Sequence, residues 1–119
     1  LMFFGESNLR VLYYREPVDM RKSFLGLYSL VKNVLLEDPL SGDLFVFCNR
    51  GRNYVKCLYF DRTGFCIWSK RLEAGSYLFP EGAEQKRALS WTDFKLVLEG
   101  MEAKRRSKRF SLSKGNEVL

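Results

Sequence analysis

The sequence predicts an α+β fold, a small antiparallel β-meander of four or five strands packed with two helices. Three observations carry that prediction. Apolar residues recur at helical spacing between positions 20 and 35. Three short strand-like runs follow, separated by compact polar turns. A helix-capping pattern then precedes a second helical stretch. The chain has 119 residues, enough for one hydrophobic core without a metal or disulfide. With 46% hydrophobic and 15% aromatic residues against 29% charged, it is too apolar for intrinsic disorder and too interrupted by charge for a membrane protein.

The elements follow in order. Residues 9–14 suit a strand, and Glu16-Pro17 ends it, because proline donates no ladder hydrogen bond and holds its predecessor extended. From Asp19, a natural N-cap, the residues Met20, Phe24, Leu27, Tyr28, Val31, Val34 and Leu35 define one face of a helix. That helix should stop near Glu37, where Asp38-Pro39 and Ser41-Gly42-Asp43 supply turn chemistry. Residues 44–49, 54–60 and 65–72 read as two successive hairpins. A short strand at 77–79 is ended by Pro80, and 81–87 reads as a loop. Ser90 and Asp93 then open a helix through Trp91, Phe94, Val97 and Leu98, which Gly100 closes. The expected organisation is a single domain over residues 1–100, with helices on one face of the sheet, and a basic tail over 101–119.

The meander has two apolar faces. If Phe60 opposes Phe65, one face carries Leu58, Phe60, Phe65 and Ile67, and the other carries Val55, Cys57, Tyr59, Cys66 and Trp68. Either both faces are covered within the chain or one meets a partner, a second copy of the chain included.

Catalysis is hard to build from this composition. There is no histidine, the side chain best suited to proton transfer near neutral pH. Asp19, Asp38, Asp43, Asp61 and Asp93 sit at turns or helix starts and form no short acidic cluster, so no metal site and no cofactor are expected. Cys48, Cys57 and Cys66 recur without the close pairs zinc prefers, and read as small core hydrophobes in a reducing compartment. Residues 1–8 lack the pattern of a signal peptide and no run approaches a membrane span, so the expected location is the cytoplasm.

The basic residues are more informative. Residues 101–119 hold six cations and two anions, a net +4 of the chain's +6. Within them Lys104, Arg105, Arg106, Lys108 and Arg109 suit backbone phosphates, which give affinity without sequence readout. In the body, Arg50 and Arg52 share one hairpin loop, Lys56 lies on the next strand, and Lys70 and Arg71 end the one after it. Arg21 and Lys22 fall in the expected first turn of the main helix, where the macrodipole disfavours cations unless an anion is held there. Pairing with Asp19 or Glu16 accounts for them equally well.

The order of motifs resembles the TnpB-type accessory proteins encoded by the second open reading frame of bacterial insertion sequences of family 66. The resemblance runs through Val18-Asp19-Met20-Arg21-Lys22-Ser23-Phe24, Leu27, and Asp38-Pro39-Leu40-Ser41-Gly42-Asp43-Leu44-Phe45-Val46-Phe47. It continues through Arg50 to Arg52, Lys56, Leu58-Tyr59-Phe60-Asp61, Gly64-Phe65-Cys66-Ile67-Trp68, Lys70-Arg71-Leu72-Glu73 and Gly75, with a weaker match at Leu89-Ser90 and Leu98-Glu99-Gly100. Ser23, Cys48 and Ser76-Tyr77 depart from the family's usual glycine, arginine and arginine-phenylalanine.

The resemblance implies a non-enzymatic component of a DNA transposition system, with the catalytic chemistry in a separate, larger transposase. The expected partners are element DNA, the transposase and other proteins of the same element, with no membrane. A protein-interaction module without DNA contact is the alternative. A small basic toxin-like ribonuclease, supported only by size, charge and an antiparallel sheet, is a third.

Overall fold

In the computed structural model, which describes residues 9–99, the strand pattern of the meander takes the expected shape. Strands β2 (Leu44–Cys48), β3 (Tyr54–Asp61) and β4 (Gly64–Arg71) form two antiparallel hairpins, and Phe60 does oppose Phe65. Strand β1 (Val11–Tyr14) lies beside β2, but parallel to it, with Val11 opposite Leu44. The sheet is therefore mixed rather than wholly antiparallel. The helix between β1 and β2 carries the chain back to its starting end, and a crossover of that kind makes the two strands run the same way.

The fifth strand is not at 77–79. It is β5 (Lys86–Leu89), which pairs antiparallel with β1 and begins within the last two residues of the stretch expected to be a loop, and the strand order is β4-β3-β2-β1-β5. As an edge strand it needs one inward apolar residue, Leu89, and its remaining side chains are solvent-tolerant, which removes the alternating pattern. Tyr77 and Phe79 are apolar for a different reason: they lie over the sheet. The Tyr77 hydroxyl donates to the Lys70 carbonyl at 3.0 Å, and the Phe79 ring stacks on Tyr13 with centroids 3.9 Å apart.

The main helix starts later than expected. Helix α1 (Phe24–Ser29) has Ser23 at its N-cap position, and Asp19 lies outside it. Asp19 instead closes a turn on itself: its carboxylate accepts the Arg21 backbone N–H at 2.9 Å and its carbonyl accepts that of Lys22 at 3.1 Å. Arg21 and Lys22 therefore precede the helix rather than forming its first turn. Beyond Ser29 the helix widens into a π-helical segment, Leu30–Val34, closed by Leu35 N–H donating to the Leu30 carbonyl at 2.9 Å. Leu36 then leaves it with φ of 57°. Helix α2 (Trp91–Leu98) begins as expected, the Ser90 hydroxyl accepting the Asp93 N–H at 3.0 Å. Its closure at Gly100 lies outside the described residues.

The two helices cover opposite faces of the sheet, not one. Leu27, Val31 and Leu35 pack with Val18 on Leu12, Tyr14, Phe45, Phe47 and Leu58. On the other side Phe94, Val97 and Leu98, with Tyr77, pack on Val11, Tyr13, Leu44, Val46, Cys48, Val55, Cys57 and Leu89. This arrangement follows from the meander's two apolar faces, each of which needs its own cover. It explains why β1 and β2 are buried at every position. Cys48 and Cys57 belong to this core, and all three cysteines are free. Among the described residues no helix is long and apolar enough to cross a membrane, and no group of three or more His, Cys, Asp or Glu could hold a metal.

A four-residue ionic clasp ties the ends of these elements. The Arg10 guanidinium donates to Asp43 at 2.7 Å through Nη2 and 3.1 Å through Nε, and to Glu37 at 2.8 Å. The Lys86 ammonium pairs with Glu37 and donates to the Leu35 carbonyl at 2.9 Å. One clasp thus joins the start of β1, the exit of the helix, the start of β2 and the start of β5. Its residues are far apart in sequence, and the turn composition around Asp43 gave no sign of it.

Candidate nucleic-acid interface

The turn between β2 and β3 is built by its asparagines. The Asn49 side-chain oxygen accepts the N–H groups of Asn53 at 3.0 Å and Tyr54 at 3.1 Å, and its amide donates to the Asn53 side chain at 2.8 Å. This pins the turn's base and leaves Arg50 at its exposed tip. Facing it is the segment 17–21, with Val18 buried and its N–H donating to the Cys48 carbonyl at 2.9 Å. Between the two lies an open cleft of about 680 Å³ whose lining includes Met20, Arg21, Asn49, Arg50, Tyr54 and Arg71.

Three of the basic residues singled out by the sequence therefore converge on one cleft. Arg71 reaches it because it is the cross-strand partner of Tyr54; its guanidinium carbon lies 4.3 Å from the centre of the Tyr54 ring. Arg21 arrives from the other wall and pairs with Asp19 at 2.6 Å while remaining 91% exposed. The Arg21 side chain, helped by its backbone N–H, holds the Asp19 carboxyl down at about 2, so Asp19 is an anion throughout the physiological range. Arg50 and Arg71 form no ion pair among the described residues. The cleft is thus a concave, cation-lined surface with an aromatic floor and one carboxylate at its rim.

Three of the other body cations serve the fold. Lys56 donates to the Lys22 carbonyl at 2.8 Å, fastening the turn before α1 to the sheet. Lys70 donates to the Leu98 carbonyl at 3.1 Å, at the C-terminal end of α2, where a cation is favoured. Arg52 donates to the Arg15 carbonyl at 3.2 Å, and its Nη1 is buried beside the Cys48 thiol. Burial pushes that thiol's pKa up, against the opposing pull of the guanidinium. Arg52 does this from a left-handed backbone at φ of 59°, a conformation that favours glycine or asparagine. Sequence spacing placed Arg50 and Arg52 together in one loop; the fold turns one outward and the other inward. Lys22 is exposed and outside the cleft lining. Lys104, Arg105, Arg106, Lys108 and Arg109 lie outside the described residues.

Comparison with known proteins agrees with the motif order. The family model described as "IS66 Orf2 like protein" matches residues 9–108. Two proteins of Sinorhizobium fredii (strain NBRC 101917 / NGR234) are similar over most of their lengths. One, "Uncharacterized protein y4jC", is 35% identical over 95 residues, covering 80% of this chain and 81% of that protein. The other, "Uncharacterized protein y4hO", is 34% identical over 96 residues, covering 81% and 84%. No solved structure matches.

Proposed function

The chain belongs to the IS66 Orf2-like family of insertion-sequence accessory proteins, and from that membership we propose that it assists DNA transposition by holding element DNA, through phosphate contacts at the cleft between residues 17–21 and the β2–β3 turn. The observation that carries this reading is the convergence of Arg21, Arg50 and Arg71 on that one open cleft. Guanidinium groups suit phosphate oxygens because their planar fork donates two parallel hydrogen bonds and keeps its charge at any physiological pH. Asp19 holds Arg21 in place without neutralising the other two. In this reading the protein is not an enzyme, and strand cleavage and joining belong to the separate transposase.

The interaction-module reading started from the two apolar faces of the meander; helices within the chain pack on both faces of the sheet, and Tyr59, Phe60, Phe65, Cys66, Ile67 and Trp68 on the β3–β4 hairpin stay half-buried. The arginine cleft is what favours DNA contact over that alternative. Replacing Arg50 and Arg71 together by glutamate should weaken duplex binding at low salt by tenfold or more. The fold should be retained, because both side chains are exposed and neither is in the core. Unchanged affinity in a folded double variant would remove the cleft from the reading.

A further inference from the structure

The cleft differs from a plain phosphate cradle in what lies under its charge. Tyr54 and Arg71 are directly opposite on adjacent antiparallel strands, so both side chains rise from the same face of the sheet, and the guanidinium sits 4.3 Å above the ring centre. A guanidinium is planar, and one held over a ring in this way can offer its outer face to a further flat group. Pro17 and Met20, both half-buried, supply apolar wall beside it, and Arg50 projects from the turn opposite. A cavity of about 680 Å³ is in the size range of pockets that hold a small molecule, and has room for a single nucleotide.

We propose that the cleft takes an unpaired nucleotide of a DNA strand, its base laid on the Arg71 guanidinium that Tyr54 supports and its phosphate held by Arg50 and Arg21. This rests on the DNA-binding reading above and adds which form of DNA the cleft prefers. A duplex offers the cleft only phosphates, because its base faces are stacked inside the helix; an unpaired strand offers both phosphate and a base face. Binding of this kind is tolerant of base identity. Asn49, the one side-chain amide in the lining, is committed to the turn through Asn53 and Tyr54 and does not read base edges.

The test uses the full chain and two probes of equal length, a labelled oligothymidine strand and a labelled duplex, titrated by fluorescence anisotropy at one salt concentration. Arg71→Lys keeps the charge and removes the plane; Tyr54→Leu removes the support under it. Each should lower the ratio of unpaired-strand to duplex affinity by at least about fivefold, the loss of one modest base stack. A ratio unchanged in both variants overturns the stacking proposal while leaving phosphate binding at the cleft intact. If Arg50→Glu alters binding of neither probe, the cleft is no nucleic-acid site, and both readings fall together.

Discussion

Asp43 is one of the few charged residues in the core region, its side chain 12% exposed. Burial pushes its carboxyl pKa up, but hydrogen bonds from the Arg10 guanidinium and the Ser41 hydroxyl outweigh that and hold it below the ordinary value. Glu37 is lowered as well, first by the hydrogen bond from Lys86, with burial opposing and Arg10 adding to the fall. Carboxylates depressed in the folded state contribute stability that is fully present above their unfolded pKa and is lost as pH falls through the folded one. The melting temperature should therefore decline in the acid range, below about pH 5, where the unfolded chain takes up protons first. Asp43→Asn should cost about 1.5–3 kcal/mol at neutral pH, the usual contribution of a hydrogen bond to a charged group, and should flatten that acid decline. Urea denaturation and melting curves across pH read both effects, and an acid decline identical in the variant would assign it to other groups. Arg52 teaches the same point at a residue that composition marks as surface: a cation can be retained for what it holds inside the fold.

At the level of elements, the legible parts were those whose signal is local. The two hairpins were readable because Asn49 to Asn53 and Asp61 to Gly64 carry turn chemistry on both sides of apolar runs, and α2 because Ser90 and Asp93 form its cap. The parallel pairing of β1 with β2, the edge strand β5 and the ionic clasp were not, since each depends on partners far away in sequence. The start of α1 was misread for a physical reason. Asp19 can cap a helix or close a turn, and Pro17 with the backbone hydrogen bond from Val18 to Cys48 fixes the turn. In the same way three of the seven body cations assigned to binding were found in the cleft, because spacing along a strand does not say which carbonyl a lysine will reach. The exit of the helix offers its own test. Leu36 holds φ of 57° with the residue 77% exposed, so it carries left-handed strain with little burial in return. Leu36→Gly should raise stability by about 1 kcal/mol, because glycine adopts that conformation without the Cβ clash. A loss of stability on that substitution would mean the exposed leucine contributes packing of its own.

The whole molecule is a five-stranded mixed sheet held between two helical layers, with its arginine cleft at the end of the sheet where β2, β3 and β4 meet the segment before α1. In the proposed reading the cleft and the basic segment after residue 100 would be separate sources of affinity for DNA, distinguished by how many counterions each releases. The deciding measurement is duplex binding by the full chain across a salt series, compared with Arg21, Arg50 and Arg71 changed to glutamine and, separately, with Lys104, Arg105, Arg106, Lys108 and Arg109 changed to glutamine. Each engaged phosphate contributes about 0.9 to the log-log slope, so the cleft variant should lose up to about 2.7 and the tail variant up to about 4.5. A shallower slope in the cleft variant is the expected result and ties DNA contact to the folded body. A slope unchanged by the cleft substitutions, with binding abolished by the tail substitutions alone, would contradict it.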